Sequence, residues 1–183
     1  MCPSTPGTWP AFWMMGQNYT RDTSVNTSNW PYCGEIDTFE GFGQHRNKAG
    51  FALHMTAQGV PNDTNAYTSD MYIGWDNSTS LYTDPALDIW DFNYYGLWNS
   101  GTEIRRYLNR KETFRYTQAE ATATGRAWPF NQPMFMIINL ALGGQATDGV
   151  DPSNVDKGMG AELVVDPINI WENVTDPATL GLS

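Results

Sequence analysis

Charge is scarce in this chain. Asp, Glu, Lys and Arg make up 16% of its 183 residues, against about a quarter in ordinary domains. The shortage falls mainly on the cations. Ten Lys and Arg face twenty Asp and Glu, for a formal net charge of −10 and a pI near 4.4. Such a balance excludes nucleic acid and anionic membrane surfaces as natural partners. No apolar run approaches the ~20 residues of a membrane helix, and Met1-Cys2-Pro3-Ser4 has no apolar core of the signal-peptide kind. There are two cysteines and two histidines, and no Cys/His cluster with metal-ligand spacing, so no metal site is assigned. Cys2 and Cys33 could form one disulfide, or Cys33 could stand as a free thiol beside a groove.

Aromatics are abundant at 14%, with eight Trp, nine Tyr and eight Phe. Most of them should fill a β core. The rest, on a surface poor in charge, suit a neutral polymer with apolar ring faces, such as a polysaccharide. Five N-x-Ser/Thr sequons, at Asn18, Asn26, Asn62, Asn77 and Asn173, lean towards a secreted, extracellular glycoprotein. The length is that of one domain, 1–183, expected to act as a monomer.

The densest chemistry lies in Gly34-Glu35-Ile36-Asp37-Thr38-Phe39-Glu40-Gly41. In a strand, alternation puts Glu35 and Asp37 on one face and Ile36 on the other. Strict alternation turns Glu40 the wrong way, but a β-bulge at Thr38-Phe39 would return it beside Asp37. Neighbouring carboxylates repel, so at least one proton is held to a raised pKa. An ionised nucleophile beside a protonated acid is what retaining glycosidases use. The bland alternatives are a solvated acidic edge strand or a calcium site.

Short apolar runs separated by turn signals predict an all-β sandwich. Thr8–Gly16 is an apolar strand with Pro10 near its start, and 17–31 a polar loop. Residues 51–56 form a strand carrying His54, and 57–84 a long loop with a weak strand at 71–75. A meander follows: 91–98, 103–109, a turn at Asn109-Arg110-Lys111, and 112–116. Residues 118–127 form a short helix or a loop. The run 133–142 is the most hydrophobic, expected to be buried on both faces, with Asn139 its one polar residue. Residues 145–160 read as a Gly/Asp loop and Ala161–Trp171 as a last strand interrupted at Pro167.

Several segments, in order, resemble glycoside hydrolase family 16. They are Trp9-Pro10-Ala11-Phe12-Trp13; Trp30-Pro31 followed by Gly34-Glu35-Ile36-Asp37-Thr38-Phe39-Glu40; Leu53-His54-Met55-Thr56; Asp91-Phe92-Asn93-Tyr94-Tyr95-Gly96; the run from Pro129 to Gly144; and Leu163-Val164-Val165-Asp166. The resemblance spans about residues 7–172 and implies a concanavalin-like β-jelly roll. It implies Glu35 as nucleophile, Asp37 as its hydrogen-bonded assistant and Glu40 as general acid/base. Two residues between Asp37 and Glu40 mark the bulged, laminarinase-like type. Trp30, Trp13, His54 and Asn139 become substrate-binding candidates. The implied activity is a retaining endo-β-glucanase acting on β-1,3-linked and mixed β-1,3-1,4-linked glucan. The alternatives are a non-catalytic glucan-binding protein, an agar or carrageenan hydrolase, and a transglycosylase.

No cofactor is required by this chemistry. A structural calcium ion belongs to the family pattern, and Asp166 matches one of its ligands. Members carry several strands before the Trp-Pro-Ala-Phe-Trp strand, whereas here about eight residues precede it. A jelly roll lacking amino-terminal strands is therefore expected, with exposed edges and apolar surface. Asn93 replaces a usual His, and Leu97 a common Glu.

Overall fold

The computed structural model describes residues 1–24, 27–62, 70, 73–74, 81–143, 161–172 and 174–175. Its strands are β1 (Thr8–Gly16), β2 (Arg21–Asp22), β3 (Thr27–Ser28), β4 (Glu35–Glu40), β5 (Lys48–His54), β6 (Ile73–Gly74), β7 (Leu81–Thr83), β8 (Tyr95–Asn99), β9 (Glu103–Leu108), β10 (Lys111–Thr117) and β11 (Met134–Leu142). One helix, α1 (Gln118–Ala123), occurs among the described residues. The fold is all-β, as expected.

The larger sheet runs β11-β1-β4-β5-β6, with β7 also on β5, and every pair is antiparallel. A meander, β10-β9-β8, forms the second sheet. Its turn is tight because Asn109 and Arg110 both take positive φ, 50° and 69°, the geometry of a two-residue hairpin. The two sheets enclose two apolar clusters. One joins Ile36, Phe51 and Leu53 of the large sheet to Ile104 and Tyr116 of the meander, together with Ala121 and Phe130. The other joins Phe39 and Ala49 to Leu108, Leu87 and Ile89. Helix α1 is set by a capping box in which Thr117 and Glu120 satisfy each other's backbone amides.

Some expectations need correction. The run at 133–142 is a strand but is not buried on both faces: Phe135, Met136 and Leu142 are exposed. Among the described residues it pairs with β1 alone, at the sheet edge, so its apolar rows have no second strand beside them. Ala161–Trp171 forms no strand. Among the described residues its one ladder-like contact is Val164, which exchanges both backbone hydrogen bonds with Met1 (3.0 and 3.1 Å), and Val165, Ile168, Ile170 and Trp171 are exposed. The expected exposure of edge and apolar surface is thus present. The loop 17–31 carries the small hairpin β2-β3. The strand at 91–98 begins later, at Tyr95, and that at 51–56 begins earlier, at Lys48.

Both thiols are free and buried, so no Cys2–Cys33 bridge exists. Cys33 is fully buried rather than at a groove, and burial with the nearby Glu35 charge pushes it up to about 12. Residues 145–160, most of 57–84, and the sequons at Asn26, Asn77 and Asn173 lie outside the described residues.

Candidate active site

Strand β4 is the middle of the larger sheet, and its bulge is visible in both ladders. Against β5, Asp37 pairs with Ala52 but Glu40 pairs with Gly50, so β4 uses one residue more than its partner. Against β1, Trp13 pairs with Asp37 and Phe12 with Phe39, which leaves Thr38 as the extra residue. Directly paired residues share a face. Glu35, Asp37 and Glu40 therefore lie on one face, while Ile36 and Phe39 enter the core. The bulge sits where the acid spacing required it.

The neighbours on the acid face follow from register. Strand β5 puts His54 opposite Glu35, Ala52 opposite Asp37 and Gly50 opposite Glu40. Strand β1 puts Met15, Trp13 and Ala11 opposite the same acids. The small residues Ala11, Gly50 and Ala52 leave room around Asp37 and Glu40. At Gly50 that room is obligatory: a Cβ there would sit 2.9 Å from Glu40 Cβ and 3.3 Å from Glu40 Oε2.

Each glutamate has an indole donor. Trp30 Nε1 donates to Glu35 Oε2 at 2.9 Å, and Trp9 Nε1 donates to Glu40 Oε1 at 3.0 Å. His54 links the acids. Its Nε2 lies 3.3 Å from Asp37 Oδ2 and 3.9 Å from Glu35 Oε1, and its Nδ1 lies 2.9 Å from Asp70 Oδ2. Its ring packs on Trp30, with centroids 5.3 Å apart. Asn139 accepts a 2.7 Å hydrogen bond from Trp13 Nε1, which gives this half-buried amide its partner and fixes the indole. All seven predicted site residues, Glu35, Asp37, Glu40, Trp30, Trp13, His54 and Asn139, thus fall in one contiguous patch.

The electrostatics follow. Burial, then the Asp37 charge, pushes Glu35 up to about 8, against the His54 charge and the Trp30 donor. Burial and Asp37 likewise push Glu40 up to about 8, against His54 and Trp9. Burial alone would lower His54, but hydrogen bonds to Asp37 and Asp70 and the charges of Asp37 and Glu35 raise it to about 10. His54 is therefore an imidazolium at neutral pH. Ligating atoms of Glu35, Asp37 and His54 gather within 4.8 Å of one another, and His54 joins this group to Asp70 through Nδ1. Glu35 lies 3.9 Å from the His54 ring, and burial and the Asp37 charge hold both glutamates above the usual carboxylate range.

Asp166, the residue matched to a calcium ligand, is exposed and, among the described residues, stands in no group of three His, Cys, Asp or Glu side chains.

Trp9, Gly50 and Asp70 were not singled out as site residues from sequence. Trp9 shares the strand parity of Ala11 and Trp13, which was a usable signal. Asp70 arrives from a polar stretch without any pattern.

The chain is similar to several known proteins. A family model described as XgeA-like, catalytic GH16 domain matches residues 1–88. The chain is 31% identical over 174 residues to a beta-glucanase of Rhodothermus marinus, covering 92% of the chain and 54% of that protein. It is 30% identical over 158 residues to a keratan-sulfate endo-1,4-beta-galactosidase of Sphingobacterium multivorum, covering 86% and 32%. Among solved structures, the endo-beta-1,3-glucanase of Pyrococcus furiosus superposes with a TM-score of 0.58 at 29% identity, over 78% of this chain and 48% of that one. The chain thus spans about half the length of the Rhodothermus and Pyrococcus proteins and a third of the Sphingobacterium one.

Proposed function

We propose that this chain, as a member of glycoside hydrolase family 16, carries the acid machinery of a retaining endo-β-glucanase acting on β-1,3-linked or mixed β-1,3-1,4-linked glucan. The observation that carries this reading is the bulge at Thr38, which puts Glu35, Asp37 and Glu40 on one face of β4.

In this reading Glu35, ionised and oriented by Trp30, attacks the anomeric carbon. The glycosidic C–O bond breaks as Glu40 gives its proton to the leaving oxygen. Glu40, now a carboxylate, takes a proton from water. The water oxygen bonds to the same carbon, and the ester to Glu35 breaks. Net retention follows from two inversions. Asp37, 3.3 Å from His54 Nε2, raises both glutamates, which disfavours their simultaneous ionisation. No step passes through a metal.

A neutral substrate is favoured over a sulfated one. The residues paired with the acids are Trp, Ala, Met, Gly and His, with neither Lys nor Arg among them. We also propose that the protein is secreted, on the strength of the sequons; the Asn62 side chain accepts a hydrogen bond from Asn29 at 3.0 Å.

The test is product analysis on laminarin, lichenan, agarose and carrageenan, with Glu35→Gln and Glu40→Gln beside the parent. Glu35→Gln should abolish hydrolysis with folding intact. Glu40→Gln should lose about 10²- to 10⁴-fold on glucan, and azide should restore turnover of an aryl glycoside as a β-glycosyl azide. Full activity of Glu35→Gln refutes the assignment. Retention on insoluble glucan without reducing-end release would show a binding protein instead.

A further inference from the structure

The core between the sheets contains one residue that does not belong there by polarity. Arg106 lies in the middle of β9 and is fully buried. Ile104 and Leu108, two residues either side of it, enter the two apolar clusters. Arg106 occupies the seam between those clusters. Across the seam, on β4, Ile36 belongs to the first cluster and Phe39 to the second, and Thr38, the bulge residue, lies between them.

A buried guanidinium is costly unless its donors are used. Arg106 Nε donates to the Thr38 carbonyl at 3.2 Å. Its Nη1 donates to Thr113 Oγ1 at 3.4 Å. Thr113 is itself an extra residue in a ladder: Glu112 pairs with Tyr107 and Phe114 with Arg106, and Thr113 is skipped. The Thr113 hydroxyl in turn donates to the Arg106 carbonyl at 3.3 Å. The guanidinium also stands over the Phe51 ring, 5.8 Å from its centroid. Phe51 lies between Gly50 and Ala52, the β5 partners of Glu40 and Asp37. One cation thus joins two bulges and the β5 residue that faces the first. A bulge leaves backbone groups outside the ladder, and a donor fixed in the core is the way to hold one in place.

We propose that Arg106 is a positioning residue for Glu40: it pins the Thr38 bulge from the core side and thereby fixes the register slip that returns Glu40 to the face of Glu35 and Asp37. This rests on the glycosidase reading for its kinetic consequence, but not for its structural one.

Arg106→Met keeps length and apolar packing and removes the donors. Its kcat on β-glucan should fall about 100-fold, the cost of misplacing a catalytic group by about an ångström, with KM near the parental value. The glycosylation rate on a 2,4-dinitrophenyl oligoglucoside, whose leaving group needs little protonation, should fall no more than about threefold. A merely structural role would lower both substrates alike. Amide hydrogen exchange at Phe39 and Glu40 should rise about tenfold relative to Ile36, a local loosening that needs no activity to be read. Thr113→Val, which keeps side-chain shape, should shift the ratio of the two rates, and the exchange, in the same direction; it decides the matter if Arg106→Met does not fold.

Equal losses on both substrates, or parental exchange at Phe39 and Glu40 in a folded variant, overturn the proposal. A parent protein inactive on every glucan would refute the glycosidase reading, and the exchange data would still decide the role of Arg106.

Discussion

Trp9→Phe isolates a single hydrogen bond at the acid that carries the proton. Trp9 Nε1 donates to Glu40 Oε1 at 3.0 Å, and the indole packs on Phe42 with centroids 5.9 Å apart. A phenyl ring keeps that packing and loses the donor. A hydrogen bond to a charged group contributes about 1.5–3 kcal/mol. The donor stabilises the ionised form of Glu40 more than the protonated form, so its loss raises the carboxyl pKa, by about one unit for each 1.36 kcal/mol of that difference. Water entering the space left by the indole offsets part of the effect, so the lower end of the range, about one unit, is expected.

The direction is fixed by the role of Glu40. Burial and the Asp37 charge already raise it to about 8, and it works as an acid only while protonated. The basic limb of kcat/KM against pH is where that proton leaves, as a macroscopic value of the Glu35–Glu40 pair. In Trp9→Phe this limb should move about one unit further up, with little change in rate on the plateau. The assay is initial release of reducing ends from soluble β-1,3-glucan across neutral and alkaline pH. A basic limb that stays in place or moves down refutes the reasoning, because it would mean that the indole does not stabilise the carboxylate of the proton donor.

Three further outcomes follow from the same contacts. Gly50→Ala puts a Cβ 2.9 Å from Glu40 Cβ, so stability should fall by about 1–3 kcal/mol and kcat more than KM changes, read by calorimetry and steady-state kinetics. His54→Gln removes the cation that lowers Glu35, so the acidic limb of the pH profile should shift upward. Glu35 and Glu40 are raised from 4.5 to about 8; the folded protein binds more protons in that interval than the unfolded chain, so their stabilisation is complete below about 4.5 and lost as pH rises through about 8. The melting temperature should therefore decline across that interval, and Glu40→Gln should flatten the decline.

The acid face was legible in the sequence because its information is local. Parity alone placed Glu35 with Asp37, and the mismatch of Glu40 itself required a bulge. What supports the acids was not legible, because it arrives through sheet pairing. Trp9 reaches Glu40 across 31 residues, Asp70 reaches His54 across 16, and Arg106 reaches the bulge across 68. No period within one strand encodes such contacts. Arg106 shows the limit best: alternation along β9 marks its position as core, and polarity argues the opposite. Periodicity placed the strand at 133–142 but not its burial, and it put a strand at 161–171 where none forms, since an apolar pattern states that neighbours are wanted without stating where they come from.

The exposed apolar surface and the acid site are separable for a topological reason. Among the described residues, the exposed ones concentrate on β11, an edge strand, and on 161–171, which holds no ladder beyond the Met1–Val164 pair. The acids stand on β4, which is paired on both sides; Trp9 comes from β1, paired with β11 and β4, and His54 from β5, paired with β4, β6 and β7, while Trp30 lies in the connection between β3 and β4. A strand with both neighbours in register has its twist and side-chain directions set by two ladders, whereas an edge strand is held by one. The positions of Glu35, Asp37 and Glu40 therefore depend on β1, β4, β5 and the Arg106 seam beneath them. Changes at the β11 edge reach the acids through β1, where Trp13 and Asn139 are hydrogen-bonded across the two strands.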